Sequence, residues 1–228
     1  MAVTDDAIDR LKSMITSGEL RPGDRLPREA DLAHTLGLSR NSLREAVRAL
    51  SLMRVLDVRQ GDGTYVASLA PDSLLEALNF VVEFHRDDSV LDLFEVRRTL
   101  EPAATSKAAA RMSDEDFDQL AEVLARADES SPVEDLVEVD TEFHRRIAIG
   151  SGNSILASMI ASFAGPTHAA RVWRGLTQQG ALLRTLDEHQ AILDALRRRD
   201  PELAAFRATA HIAGVEDWLR TAVVDGAN

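Results

Sequence analysis

Three histidines and one aspartate are spaced so that they could share a metal ion. In DLVEVDTEFHRRI, Asp140 and His144 stand one helical turn apart. At 100° per residue Leu136, Phe143 and Ile147 fall within about sixty degrees of Asp140, so the acid and the imidazole occupy an apolar face. His189 is flanked at helical spacing by Leu182, Leu186, Leu193 and Leu196, and His211 by Ala204, Ala208, Val215 and Trp218. A lone core histidine is usually a structural residue with its own hydrogen bond. Four inward polar groups each need a partner, at about 1–3 kcal/mol for every one left unpaired. A single divalent cation satisfies all four. The chain has no cysteine, so ligation rests on nitrogen and oxygen, which suits zinc first, then nickel, manganese or iron.

Arg97 lies on a second inward face, with Val90, Leu93, Phe94, Leu100, Ala104 and Ala108 at helical spacing around it. Two readings of it stand side by side. It pairs with Glu101 one turn on, as a structural ion pair, or it joins the vacant positions of the metal in binding a small carboxylate.

The elements that must position these groups follow from pattern and charge. At 228 residues and 45% hydrophobic content the chain is long enough for two domains. Residues 1–68 hold ten Lys or Arg against ten Asp or Glu, whereas residues 69–228 hold sixteen against twenty-eight, so the whole net charge of -12 belongs to the second part. The neutral part carries a cationic stripe in LSRNSLREAVRAL, which marks it as the module that meets a polyanion. The absence of cysteine points to a reducing cytoplasm. The N-terminus has no apolar signal core, and no run approaches a membrane span, so no membrane partner is expected.

In residues 1–68 the spacing predicts helices over 6–17, 29–36 and 40–53, the third capped by Ser39 after a turn at Gly37. Leu43, Ala46, Val47 and Leu50 form its inner face, with Arg40, Asn41, Arg44 and Arg48 on nearly the opposite side. VLDVRQGDGTYVAS then reads as a β-hairpin turning at GDG. Residues 69–228 read as helices over 72–85, 89–111, 114–129, 133–149, 153–164, 166–178, 180–199 and 202–223, with start signals at Ser113, at Ser131 with Pro132 and Glu134, and at Asp200 with Pro201. The expected fold is mainly α: a winged helix-turn-helix with a small hairpin wing, followed by an antiparallel all-helical bundle.

The segment GELRPGDRLPREADLAHTLGLSRNSLREAVRALSLMRVLDVRQGDGTYV closely resembles the DNA-binding domain of GntR-type transcription regulators. The resemblance implies that Arg40, Asn41, Ser42 and Arg44 read the major groove and that the Gly61 backbone approaches DNA from the wing, while Arg48, by its spacing, extends the same DNA-facing stripe. Two departures stand in the second helix, where Arg28 replaces a capping serine and Ala30 replaces a DNA-contacting arginine. Asp62 is a third, in the wing.

LFEVRRTLEPAA, DTEFHRRIAIGSGNSIL and EHQAILDALRRRDPELAAFRATAHI resemble the FCD ligand-binding domain of FadR-like members, of the metal-binding type, with Asp140, His144, His189 and His211 at the ligand positions and Arg97 at an inward arginine. Together the resemblances imply a homodimeric repressor, not an enzyme, that binds a pseudo-palindromic double-stranded operator. A small hydroxy, keto, di- or tricarboxylic or sugar acid releases it. Two alternatives are a metal-dependent hydrolase or isomerase built on the bundle, and a regulator for which the ion itself is the signal.

Overall fold

The computed structural model describes residues 3–68 and 89–226, in two compact units, 1–74 and 75–228. The helix expected over 72–85 lies outside the described residues.

In the first unit, apolar residues three and four apart make α1 (Val3–Thr16) amphipathic, and Ala7, Leu11 and Met14 enter the core. The short α2 (Glu29–Thr35) buries Leu32 and Ala33. Its N-terminus has no side-chain cap, as expected once Arg28 holds the cap position. A turn through Gly37, whose φ of 62° a side chain would strain, leads into α3 (Arg40–Leu52). Ser39 caps α3 by accepting from Ser42 N at 3.0 Å. Strands β1 (Leu56–Arg59) and β2 (Gly63–Val66) pair antiparallel from Leu56↔Val66 to Arg59↔Gly63. Leu56 and Val66 are buried with Leu43, Ala46 and Leu50, which ties the hairpin to the three helices.

Every described element of the second unit is a helix: α4 (Ser89–Arg111), α5 (Asp114–Leu124), α6 (Val133–Gly150), α7 (Ser154–Ser162), α8 (Ala164–Thr177), α9 (Ala181–Arg197) and α10 (Pro201–Gly226). Phe117, Leu120, Leu136, Phe143, Ile192, Leu193 and Leu196 are buried in one cluster that joins α5, α6 and α9, with Ala204 and Ala208 of α10 against it. Small side chains of α4 and α10 let these two long helices make the most extensive pairing of the unit. Ser113 and Asp116 form a reciprocal capping box at α5, Asn153 caps α7, and Asp200 accepts from Leu203 N at 3.0 Å ahead of α10.

One start signal is corrected. Ser131 does not cap α6, which begins at Val133 behind Pro132 with no side-chain cap. The Ser131 hydroxyl instead accepts from Asp128 N at 3.0 Å, because a local serine–aspartate turn competes for the same group. No helix among the described residues is long and apolar enough to cross a membrane.

Candidate functional site

The periodicity that makes α6, α9 and α10 apolar on one side also carries four polar groups inward. Asp140 and His144 come from α6, His189 from α9 and His211 from α10, and all four are buried. One ligand atom from each lies within 4.8 Å of all the others. Asp140 Oδ1 stands 3.1 Å from His189 Nε2, 3.5 Å from His144 Nε2 and 3.7 Å from His211 Nε2, and the last two nitrogens are 3.3 Å apart. Ligand atoms on a tetrahedron of about 2.1 Å radius are about 3.4 Å from one another, so these spacings suit a first-row divalent ion.

The hydrogen bonding points the same way. Both ring nitrogens of His189, a residue only 1% exposed, lack a hydrogen-bond partner, since Nε2 is close to Asp140 but badly angled. The remaining atoms of the cluster are held from behind. His211 Nδ1 is 2.8 Å from Glu188 Oε2, and His144 Nδ1 is 2.8 Å from Glu101 Oε2, although the second contact is not aligned for a hydrogen bond. Arg171 Nη1 donates to Asp140 Oδ2. Carboxylates behind imidazoles fix which nitrogen faces the centre, the outer-shell arrangement of metal sites.

The neighbours pull the titrations apart. Burial drives His189 down to about 4. Burial also opposes charge on His144, but Glu101 and Asp140 outweigh it and raise it to about 9. Asp140 is held well below the usual carboxylate range because Arg171 and the imidazoles overcome its desolvation, and Glu101 is lowered by Arg97 and His144 in the same manner.

Arg97, from α4, is buried and Nε donates to Glu101 Oε1, so the ion pair exists. The same guanidinium also lines a cleft together with Asp140, Arg171, Arg174, Thr185 and His211. The two readings of Arg97 are therefore compatible.

Arg171 and Arg174 escaped the sequence reading. Both sit on α8, whose inner face is polar, with Thr167, Arg171 and Arg174 buried one turn apart. Its outer face exposes Trp173 and Leu176, the latter by 66%. The recurrence of polar residues at i, i+4 and i+7 was the available signal. Trp173 meets Trp218 of α10 edge to face, with ring centroids 4.9 Å apart.

In the first unit Arg40, Asn41, Arg44 and Arg48 are exposed along α3, and the half-buried Ser42 shares a 2.8 Å contact with the Ser39 hydroxyl. Arg44 donates through Nε and Nη2 to both oxygens of Glu29, and Arg48 donates to Glu45 at 2.8 Å. Gly61 turns the wing with φ 80°. Asp62 beside it accepts from Tyr65 Oη at 2.9 Å, so its charge is directed along the wing. Arg25, Arg44, Arg48, Val58 and Thr64 line a groove between α3 and the hairpin.

Comparison with known proteins finds the family model "Bacterial regulatory proteins, gntR family" over residues 3–66 and the FCD domain model over residues 92–214. The chain is 29% identical to the HTH-type transcriptional regulator LutR of Bacillus subtilis, over 90% of this chain and 96% of that one. It is also 29% identical to the galactonate operon transcriptional repressor of Escherichia coli, over 92% and 93% of the two chains. Among solved structures, a Streptococcus agalactiae GntR superposes with a TM-score of 0.71 at 29% identity, covering 94% of this chain and 99% of the other.

Proposed function

Because the chain belongs to the GntR family of bacterial regulatory proteins with an FCD domain, and is thus a DNA-binding transcription regulator, we propose that it is a homodimeric repressor released from its operator by a small organic acid received at the Asp140, His144, His189 and His211 centre. His189 carries this reading: an imidazole is buried with neither nitrogen hydrogen-bonded, beside three further ligand atoms. A core without a cation gains nothing from that arrangement. A divalent ion held there, zinc by first preference, supplies a Lewis-acid anchor for an acid oxygen.

The chain's own residues do the rest. Glu101 and Glu188 orient His144 and His211, Arg171 holds the second oxygen of Asp140, and Arg97 offers a guanidinium to the carboxylate from the cleft wall. That a relative is named for the galactonate operon supports an acid as the signal. On DNA, Arg40, Asn41, Ser42, Arg44 and Arg48 of α3 face the major groove of a pseudo-palindromic site, and the wing turn at Gly61 lies against the phosphates. The acid releases the operator through a higher affinity for the DNA-free state.

The test combines elemental analysis of the purified chain with mobility shift on its own upstream region, against a panel of carboxylic acids with and without chelator. About one ion per chain, and release by an acid that chelator blocks and zinc restores, is the expected result. A metal-free protein that still responds overturns the centre, and turnover of the acid makes the bundle an enzyme instead.

A further inference from the structure

Three arginines surround the centre, and two are neutralised within the protein. Arg97 pairs with Glu101 and Arg171 with Asp140. Arg174 is held differently. It is 4% exposed, Nε donates to Gln178 Oε1 at 2.7 Å, Nη1 faces Thr185 Oγ1 at 3.5 Å, and Nη2 is buried with no partner. Both of its hydrogen-bond partners are uncharged, and among the described residues no carboxylate lies within ion-pair distance of it, Glu188 and Asp140 attracting it only from further away. Burial pulls its guanidinium below the ordinary arginine value, yet arginine stays charged in proteins. An unpaired buried charge is among the least favourable groups a core can contain, so an anion from outside the fold is the natural counterpart.

The same side chain lines the cleft beside Asp140 and His211. Arg174 and Thr185 line it together with Arg97, Asp140 and His211, so a molecule lodged against Asp140 and His211 lies in the same cleft as the Arg174 side chain. The local charge balance indicates how many anionic groups it carries. Asp140, Glu101 and Glu188 carry three negative charges against the three positive charges of Arg97, Arg171 and Arg174, so a divalent ion leaves a surplus of two. One carboxylate leaves that surplus half uncorrected, and two match it.

We propose that Arg174, with Thr185, forms a second anion subsite, so that the effector is a two-headed acid with one carboxylate at the Asp140 and histidine centre and another on the Arg174 guanidinium. The first head rests on the function proposed above; the second rests on Arg174.

The probes are L-lactate, L-malate and L-2-hydroxyglutarate, which share an α-hydroxy acid head and differ in the added carboxylate and its reach. Each is titrated calorimetrically into the full-length, zinc-loaded protein. One of the two diacids is expected to bind at least about tenfold more tightly than lactate, the scale of one charge-assisted bidentate contact. Arg174→Gln then reduces that ratio to near one, and Arg174→Lys, which keeps the charge, retains part of it. Lactate binding as tightly as both diacids overturns the subsite while leaving an acid-responsive centre intact. An equal loss for all three acids in Arg174→Gln makes Arg174 a general support of the cleft and also overturns it. If no acid binds although zinc is retained, the acid reading falls and the subsite falls with it. The preference of the unmodified protein decides the matter should Arg174→Gln fail to fold.

Discussion

Arg97, Glu101 and His144 form a buried chain in which each side chain answers the charge of the next. Removing the guanidinium therefore strands a carboxylate in the core as well as altering the cleft. Arg97→Met is expected to lower stability by roughly 3 kcal/mol in urea unfolding, and adding Glu101→Gln to recover most of it, because the two residues are coupled. Equal stability of Arg97→Met and the unmodified chain would show that Glu101 finds its charge balance elsewhere. The convergence of Asp140, His144, His189 and His211 was legible in the sequence because a polar residue inside an apolar stripe is an anomaly that periodicity exposes. Arg171 and Arg174 were not, because α8 reverses the rule. It buries its arginines and exposes Trp173 and Leu176, so an apolar-inward reading turns the helix the wrong way round. Which carboxylate stands behind a given imidazole is likewise a matter of three-dimensional packing, as Glu188 behind His211 illustrates.

At the scale of elements, α3 and the hairpin were legible almost residue by residue, since an N-cap serine, a turn glycine and a GDG corner act locally. Ser131 failed for a local reason as well: two nearby groups compete for one hydroxyl, and only the folded turn decides between them. The stripe on α3 makes a sharp prediction. Arg44 and its partner Glu29 are both exposed, and exposed ion pairs add little to stability. Arg44→Ala is therefore expected to abolish operator binding in a mobility-shift assay while the melting temperature barely moves. A large drop in melting temperature would return the stripe to a structural role.

At the scale of the whole molecule, each unit has its own buried cluster, and the net charge resides in residues 69–228 while residues 1–68 are neutral. Two cores imply two melting events. Calorimetry is expected to resolve two transitions, of which zinc raises one, since a ligand stabilises only the unit that binds it. His189→Ala should abolish that rise and leave the other transition in place; a rise that survives the substitution removes His189 from the ligands. The paired indoles bring a practical benefit. Trp173 and Trp218 are the chain's two tryptophans, and their rings touch across the helices that carry Arg174 and His211. All indole emission thus originates on two helices that wall the cleft, and Trp218 packs against the cluster of Phe94, Ile212 and Val215 in its lining, which offers a native optical gauge of its occupancy, one that needs no attached dye.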